Sequence, residues 1–591
     1  MAKIESDKLF VKDVFQKWYR IPEYQRPFVW GSDQVNELLD DIYSARQSHP
    51  EAQYFLGSMV LKKTDKQIGS TKYEEYDLLD GQQRLTTLFL VTAVVRDLTP
   101  KIDKNKARIE ACQKTIYQME NPDDNIPERC RIVFDIRDKV RVFIDKYVKT
   151  ENGTNREEEL QNLTGQKGED ISIRNMANAI LTIRRFFENG SNIDEFFPFF
   201  RSNVLMIYVA AEALEDAFHL FTVMNNRGIK LRNSDILKAE NLAKIREDHI
   251  RTRYAKEWES IEEYFAEDFD TFLSHLRTIL VKQKALANLL KEYEENIYAP
   301  REFNKTTKEY TPKPPLLQKG KDTFEFVGSY FKHYQAIFDV DHYNLANNFE
   351  LNNQLILMRY GFEAELWVAP LLKYFDKYNT NQILDFLKRL DNKFSADWIT
   401  GLSPTERIES GNAIIKEIEA ASSQAALFAS AVFQTDKFEL LRAFSGGIYG
   451  RGYARYLLLK IDLLHHGHTT KFAPPSQISI EHILPQTPDS ASQWVNDFTN
   501  VERAQWTNRL GNLILLSRRK NTAQGNRDFA EKKAKYFAKN VELFSHSIRI
   551  FNAYSTWTLA DLKKNHKETV MNLMSLYGYS VTDDEYEAAV K

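Results

Sequence analysis

Hydrophobic and polar positions follow one pattern before residue 240 and another after it. Before that point, short apolar runs alternate with segments in which apolar residues recur every three or four positions. Segment 34–46 is the clearest predicted helix, because its apolar residues fall on one face and Ser32 or Asp33 can cap its start. That face consists of Val35, Leu38, Leu39 and Ile42.

Strands are predicted from the apolar runs in the same region. The second run ends in Asp80 and Gly81 and leads directly into a predicted helix over Gln82–Leu98. A further helix is predicted over Leu214–Met224, with Gly228 as its left-handed terminator. The three predicted strands are Tyr54–Leu61, Tyr76–Leu79 and Val204–Ala210.

From about residue 240 to residue 465 the pattern is almost wholly helical. Ala299–Lys321 interrupts it with four prolines and several lysines, and we predict an exposed loop there. A double proline in Phe472–Ser476 marks a last boundary. We therefore expect an α+β, mainly helical protein with domains at 1–240, 241–425 and 426–591.

Composition narrows the class of protein. The 591 residues include 80 basic and 83 acidic ones, a net charge of -3, so any contact with nucleic acid must come from local patches. Cys112 and Cys130 are too few for a disulfide scaffold or a four-cysteine zinc site. The start lacks a signal peptide and Leu85–Val95 is too short to span a bilayer. We expect a cytoplasmic protein without a membrane partner.

The most informative stretch lies near the C-terminal end. A short strand-like segment, Gln477–Ile480, leads into Glu481 and His482, and Pro485 turns the chain. A second strand is predicted over Arg509–Leu516, and a helix is predicted over Asp528–Lys539. This order resembles the ββα-metal finger of HNH nucleases.

The residue types suit hydrolysis of a phosphodiester. His482 is predicted to be the general base, because its ordinary pKa keeps it neutral near pH 7. A hard cation, Mg²⁺ or Mn²⁺, needs oxygen ligands, which Glu481 and Asn521 can supply. Asn512 is predicted to orient the imidazole, directly or through its loop. The catalytic prediction is therefore His482, Asn512 and Asn521.

A local basic patch accompanies the predicted finger. Residues 501–540 carry ten basic and three acidic side chains, which is the footprint expected for phosphate contacts in an otherwise acidic chain. The predicted DNA-binding residues are Arg518, Arg519, Lys520 and Arg527. Each feature also has a plainer interpretation, because His482 can be structural, Asn512 can belong to a turn, and lysines on a helix usually face solvent.

Four short motifs stand out in the first 240 residues. In Asp80–Arg84 (DGQQR) a strand ends and a helix begins, which offers backbone N–H groups and Arg84 to an anion, and Asp80 can hold a cation. The same letters also suit an ordinary turn. No GxxxxGK[ST] loop is present, so the site is not a P-loop. The other motifs are Ile21–Trp30 (IPEYQRPFVW), Phe55–Ser58 (FLGS) and Asn225–Gly228 (NNRG).

Together these motifs and the C-terminal EHILPQ…GNLILLSRRKN resemble the GmrSD family of type IV restriction enzymes, in the family's order. The resemblance implies a ParB/sulfiredoxin-like N-terminal domain that binds and hydrolyses nucleoside triphosphates with a divalent cation, a helical connector and an HNH finger. It also implies cleavage of phage DNA that carries modified cytosines. The implied nucleotide site consists of Gln25, Arg26, Asp80, Gly81, Gln82, Gln83, Arg84, Asn225 and Arg227.

The resulting hypothesis is a modification-dependent restriction endonuclease that acts on double-stranded DNA and uses an NTP and a divalent cation. A homodimer is one way for such an enzyme to cut both strands, because one finger cuts one strand. Two alternatives remain, a nucleotide-gated DNA-binding clamp with an inactive finger and a regulatory NTPase.

Overall fold

The computed structural model describes residues 4–22, 25, 27–68, 71–123, 125–134, 138–166, 169–212, 232–304, 306, 308–339, 349–475, 477–517, 526–537 and 543–591. The chain divides into two compact units, Met1–Tyr264 and Phe265–Lys591. Helices dominate both and the sheets are small, which confirms an α+β, mainly helical chain. The ParB-like and HNH assignments and the boundaries at 240 and 425 stay predictions.

A mixed six-stranded sheet organises the first unit. Its order is β1-β8-β3-β4-β2-β7, in which β1/β8 and β3/β4 are antiparallel and the other neighbours are parallel. All three predicted strands are confirmed within β3, β4 and β8. The strands are β1 (Ile4–Phe10), β2 (Trp18–Ile21), β3 (Tyr54–Ile68), β4 (Thr71–Asp80), β5 (Tyr117–Gln118), β6 (Arg129–Cys130), β7 (Ile132–Phe134) and β8 (Val204–Ala211), of which β5 and β6 form a separate pair.

The helices of this unit cover the sheet and complete its core. The helix predicted over Gln82–Leu98 has those bounds and is buried along almost its whole length. The helix predicted over Leu214–Met224 lies in 213–231, outside the described residues. The helices are Val11–Val14, Ser32–Ser48, Gln82–Leu98, Lys106–Ile116, Asp138–Phe143, Glu157–Gly165, Ile171–Glu188, Ile193–Ser202, Asn233–Leu242 and Asp248–Phe265, with a π-helical turn at Ile144–Lys149.

One detail of the Ser32–Ser48 helix differs from the prediction. Its apolar face is buried as expected, but Gly31 is the N-cap instead of Ser32 or Asp33. The Gln34 side chain accepts the Gly31 N–H at 2.9 Å, and the Ser32 hydroxyl accepts a hydrogen bond from Asn178 at 2.9 Å. The Ser32 hydroxyl, which was predicted to cap the Ser32–Ser48 helix, is therefore bound instead by Asn178 of the Ile171–Glu188 helix.

Besides helices, the described part of the second unit contains two antiparallel strand pairs, β9 (Arg301–Asn304) with β10 (Glu309–Pro312), and β11 (Ile478–His482) with β12 (Leu513–Ser517). One of its apolar cores joins Leu357 and Ile399 to Leu510 and Leu573. The helices are Phe269–Val281, Leu289–Glu292, Lys321–Phe338, Glu350–Gly361, Val368–Tyr378, Ile383–Ile399, Pro404–Ala420, Gln424–Phe428, Lys437–Ser445, Ala454–His466, Gln493–Asp497, Asn500–Trp506, Phe529–Phe537, Ser545–Ala553, Leu559–Leu576 and Asp583–Val590, with a π-helical turn at Tyr293–Tyr298.

Two predictions about this unit need correction. Ala299–Lys321 is exposed but is not a plain loop, because it contains the β9–β10 hairpin, in which Phe303 pairs with Tyr310 across the strands. The second strand of the predicted finger begins at Leu513 instead of Arg509, because Leu510–Asn512 forms a 3₁₀ turn. The local residue pattern that predicted a loop and a strand reveals neither the β9–β10 hairpin nor the 3₁₀ turn at Leu510–Asn512.

Both cysteines, Cys112 and Cys130, are free. Among the described residues, no helix combines the length and apolarity that crossing a membrane requires.

A buried ion pair links two helices of the second unit. The Lys460 ammonium donates to the Asp391 carboxylate at 2.7 Å, and the Tyr456 hydroxyl donates to the other carboxylate oxygen at 2.6 Å. Both charged side chains are about 95 % buried or more. Removing one partner would leave an uncompensated charge in a dry core, which costs far more than losing an exposed pair.

We therefore expect Asp391→Ala to lower the free energy of unfolding by about 3–5 kcal/mol. Lys388→Ala, which removes the half-exposed Lys388–Glu350 pair, should cost less than about 1 kcal/mol. Urea denaturation of both variants measures the difference. Equal losses would show that the Asp391–Lys460 pair is not buried in solution.

Candidate functional site

The predicted general base sits at the end of a strand in the second unit. β11 pairs antiparallel with β12, which places Glu481 opposite Ile514 and His482 opposite Leu513. β12 is buried along its whole length, whereas most of β11 is half-buried. The strand pair thus rests on the core through β12, with Glu481 half-buried and His482 buried at the end of β11.

The Asn512 side chain fixes the chain that follows His482. Its amide oxygen accepts the Leu484 N–H at 2.8 Å, and its amide nitrogen donates to the carbonyls of Leu484 at 2.9 Å and Thr507 at 2.8 Å. The Trp557 indole N–H also donates to the amide oxygen, at 3.3 Å. Asn512 is fully buried, and these contacts act on the loop beside the imidazole.

Gly511 allows a helix to approach this turn. A Cβ atom at Gly511 would lie 2.5 Å from the backbone of His566, on the Leu559–Leu576 helix. The Gly511 N–H donates to the His566 ring at 3.1 Å, and its carbonyl accepts from Asn565 at 2.7 Å. In this Gly-Asn pair, Gly511 therefore allows close packing of the helix and Asn512 holds the loop after His482.

The imidazole of His482 has a defined hydrogen-bond partner. Its Nε2 lies 3.0 Å from the Asn508 Oδ1, which also accepts a hydrogen bond from Gln486 at 3.1 Å. Because that oxygen is an acceptor, the neutral ring carries its proton on Nε2 and its basic lone pair on Nδ1. The edge of the ring meets Tyr449 with centroids 4.2 Å apart.

Burial controls the charge of this imidazole. His482 is 7 % exposed, and desolvation lowers its pKa below the ordinary 6.5, with the nearby Lys532 ammonium acting in the same direction. The hydrogen bond to Asn508 opposes that shift. The ring is therefore neutral at pH 7, which is the state that accepts a proton.

Glu481 is paired with a lysine from the following helix. Lys532, on the Phe529–Phe537 helix, donates to the Glu481 carboxylate at 3.0 Å and to the His482 carbonyl at 2.6 Å. Burial raises the pKa of Glu481 and lowers that of Lys532, and each charge counteracts the shift of the other. The interpretation of these lysines as a solvent-facing row is wrong for Lys532, which is 1 % exposed.

The donor set around His482 is only partly suited to a cation. Carboxylate and amide oxygens suit Mg²⁺ or Mn²⁺, but the Glu481 carboxylate already neutralises Lys532. Among the described residues no group of three His, Cys, Asp or Glu side chains is placed to hold a metal ion. Asn521, the other predicted ligand, lies in 518–525, outside the described residues, so metal ligation by Glu481 and Asn521 stays a prediction.

The predicted DNA-binding residues fall largely in the same undescribed segment. Arg518, Arg519 and Lys520 belong to 518–525. The guanidinium of Arg527 lies 3.2 Å from Glu531 one helical turn away and is 44 % exposed. The backbone carbonyl of Arg527 accepts the Trp494 indole N–H at 3.0 Å, and the Trp494 ring belongs to the core.

In the first unit, the DGQQR motif forms the predicted transition from strand to helix. Asp80 ends β4, Gly81 adopts φ +93°, and the helix starts at Gln82. A side chain at Gly81 would meet Met59 of β3 at 2.9 Å, so glycine is required for both the backbone conformation and the packing. The N–H groups of the first helical turn are thereby placed at the end of β4.

Arg84 joins this motif to FLGS. Its guanidinium donates to the carbonyls of Leu56 at 3.3 Å and Ser58 at 2.9 Å, and it lies 3.6 Å from Asp80. The guanidinium crosses Gly57, where a Cβ atom would be 1.7 Å from Nη1. Gly57 has φ +130° and lies at an irregularity in the pairing of β3 with β8. Phosphate binding by Arg84, which is about one-quarter exposed, stays a prediction.

Gln83 and Gln25 attach the IPEYQRPFVW segment to the same place. The Gln83 oxygen accepts the N–H groups of Val29 at 2.8 Å and Trp30 at 3.2 Å, and its nitrogen donates to Pro27 at 3.1 Å. Gln25 donates to the Leu79 carbonyl at 2.8 Å. Both side chains are buried, so they hold the segment in place, and Gln82 beside them is buried as well.

The remaining predicted nucleotide ligands cannot be placed in this arrangement. Arg26 lies outside the described residues, and so do Asn225 and Arg227 in 213–231. Downstream of them, the Asp235 carboxylate accepts the Arg232 N–H at 3.0 Å, which caps the Asn233–Leu242 helix.

Comparison with known proteins identifies the chain at both ends. The model for the GmrSD restriction endonuclease N-terminal domain matches residues 8–242, and the model for the GmrSD restriction endonucleases C-terminal domain matches residues 435–570. The chain belongs to the GmrSD family of type IV restriction enzymes. A search of curated proteins found no match.

Each GmrSD-family domain contains one of the two sites. The N-terminal match includes Asp80–Arg84 and the segment that Gln83 holds, and the C-terminal match includes His482 and Asn512. The family identifies the chain as a DNA endonuclease. Sequence reasoning missed Asn508, Gln486, Tyr449 and the pairing of Lys532, because their partners are distant in the chain and no periodic pattern marks them.

For this GmrSD-family chain, we expect Asn512→Ala to lower the free energy of unfolding by about 3 kcal/mol, because it leaves buried backbone groups at Leu484 and Thr507 without partners. Asn500→Ala, at an exposed helix start, is the matched control and should cost less than about 1 kcal/mol. Urea unfolding of both variants tests this, and a cost at position 512 no larger than the control would contradict it.

A second prediction concerns Gly57. Gly190 has φ +113° with open space around its missing Cβ, so Gly190→Ala measures backbone strain alone, about 1–3 kcal/mol. Gly57→Ala should cost more, because it also displaces Arg84. In an Arg84→Ala background the two glycine substitutions should cost the same. Persistence of the difference there would show that Arg84 does not cross Gly57.

Proposed function

We propose that this GmrSD-family endonuclease cuts DNA with His482 as the general base. The observation that carries the proposal is the Asn508 oxygen on Nε2, which leaves the Nδ1 lone pair to take a proton from water. Burial supports the role, because it keeps the imidazole neutral. Asn512 supports it indirectly, by holding the loop at Leu484.

We propose that cleavage depends on Mg²⁺ or Mn²⁺ held by Asn521 and Glu481. When bound, such a cation would stabilise negative charge on the scissile phosphate. The Lys532 contact makes Glu481 the less secure ligand, since the carboxylate must leave the ammonium or share its oxygens with it. The support for this site is the oxygen chemistry of the residues and their order in the sequence.

We also propose that the N-terminal site binds and hydrolyses a nucleoside triphosphate and couples this to cleavage. The support is the meeting of three motifs at the start of the Gln82–Leu98 helix, where backbone N–H groups and Arg84 suit an anion. Recognition of modified cytosines in phage DNA rests on the family resemblance alone.

The Glu481–Lys532 pair favours one second candidate, a nucleotide-gated DNA-binding clamp with an inactive finger. In that case the ion pair would be a permanent structural contact, and the chain would bind DNA without nicking it. Metal-dependent nicking separates the two functions.

We expect the wild-type chain to cut DNA that carries hydroxymethylated or glucosylated cytosines, in the presence of Mg²⁺ or Mn²⁺ and an NTP. His482→Ala should lower the cleavage rate at least about 100-fold, because it removes the proton acceptor. His468→Ala is the matched control, since His468 is a half-exposed side chain on Glu350 and should leave the rate unchanged.

The pH profile gives an independent check. Because burial lowers the pKa of His482 below the ordinary value of 6.5, the neutral imidazole still predominates at pH 6.5, and the midpoint of the acid decline in cleavage should lie below that pH. Full cleavage by the His482→Ala variant would refute the assignment. Metal-independent DNA binding with no nicking on any substrate would favour the clamp.

A further inference from the structure

One β-hairpin of the second unit, formed by β9 and β10, is almost wholly exposed. Every residue of β9 and β10 is solvent-exposed, although an isolated two-stranded hairpin is only marginally stable by itself. Its base is anchored, because the Lys313 N–H donates to the Pro300 carbonyl and the Leu316 N–H donates to the Ile297 carbonyl, both at 2.8 Å. The hairpin therefore projects from a fixed base without contributing to the core.

The two faces of the hairpin differ in chemistry. Because side chains alternate along a strand, Arg301 and Phe303 share one face with Tyr310 and Pro312 across the ladder. The aromatic rings of that face lie 5.0 Å apart, yet Phe303 is 47 % and Tyr310 67 % exposed. A cross-strand aromatic pair explains part of the stability of the hairpin, but not why so much apolar surface remains in water.

The acidic residues are confined to the other face. Glu302 and Glu309 alternate with the aromatic positions, and Lys313 neutralises Glu302 through a 2.9 Å ion pair. The face with Phe303 and Tyr310 carries the Arg301 guanidinium and no carboxylate. The surrounding segment, residues 299–321, has six basic residues and two acidic ones in a chain whose net charge is negative.

We propose that the Arg301–Pro312 hairpin is a DNA-contacting element that lays its Arg301–Phe303–Tyr310 face in a groove of double-stranded DNA. The major groove admits a two-stranded β-ribbon, and the Arg301 guanidinium, which shares its face with no carboxylate of the described hairpin residues, suits the phosphate backbone. Exposed aromatic rings supply the apolar contact with bases or sugars that such ribbons and wedges use. The inference rests on the proposed action on DNA and adds a contact outside both family-matched regions.

The test is the affinity of the full chain for a fluorescein-labelled duplex, measured by anisotropy in EDTA so that no DNA is cut. One duplex carries hydroxymethylated cytosines and a second is unmodified. Phe303→Ala/Tyr310→Ala should weaken binding to both by about tenfold, the effect expected for losing one stacking or wedge contact. Glu302→Ala/Thr311→Ala, the neighbouring cross-strand pair on the opposite face, is the matched control and should not weaken binding.

Loss of the aromatic pair could unfold the hairpin itself, so a third variant tests the DNA contact with both rings in place. Arg301→Gln keeps both rings, and it should reduce the dependence of log affinity on log salt by about one unit, the value for one phosphate contact. All variants should unfold at the same urea concentration as the wild type, because the hairpin contributes nothing to the core.

The outcomes distinguish this inference from the proposed function. Wild-type binding and cleavage together with unchanged affinity and salt dependence in the hairpin variants would overturn the hairpin inference alone. Equal weakening by the control pair would overturn it as well, because the effect would not depend on the face. A wild-type chain that neither binds nor cuts either duplex would overturn both the hairpin inference and the proposed function. If His482→Ala loses cleavage but still binds DNA, the affinity test of the hairpin remains valid.

Discussion

The hydrogen bonds of one buried amide hold the predicted nuclease site together. Asn512 fills its donor and acceptor positions with the backbone of Leu484 and Thr507 and with the Trp557 indole, so the loop after His482, the turn before β12 and a later segment share one anchor. A buried polar group is costly unless it is fully paired, which makes this geometry hard to exchange for another. The orientation of the imidazole depends on that loop.

The same physical device recurs in the first unit. The side-chain amides of Gln83 and Gln25 form hydrogen bonds with backbone groups of other segments. The Arg84 guanidinium crosses Gly57 and donates to two backbone carbonyls. The polar residues of the motifs thus have a structural role, because they hold three segments that are distant in the sequence at the start of one helix. What remains for an anion is the helix start itself and the exposed part of the Arg84 guanidinium.

The Glu481 carboxylate has an observed structural partner as well as a proposed role as a metal ligand. The contact of Glu481 with Lys532 joins the Phe529–Phe537 helix to β11. It also compensates two charges that burial disfavours. If Glu481 ligated the proposed cation, its carboxylate would have to leave the Lys532 ammonium or share its oxygens with it. Either change would couple the proposed metal site to the packing of the Phe529–Phe537 helix.

The sequence by itself determined the features that depend on neighbours in the chain. These include the whole Gln82–Leu98 helix, the turn at Gly81 and the place of His482 at the end of a strand, because periodicity and turn chemistry are local. Only the tertiary structure decided that Asn508 holds the imidazole from 26 residues away and that Lys532 pairs with Glu481 from 51 residues away. Such partners are chosen by folding and burial, and no local pattern of residues encodes them.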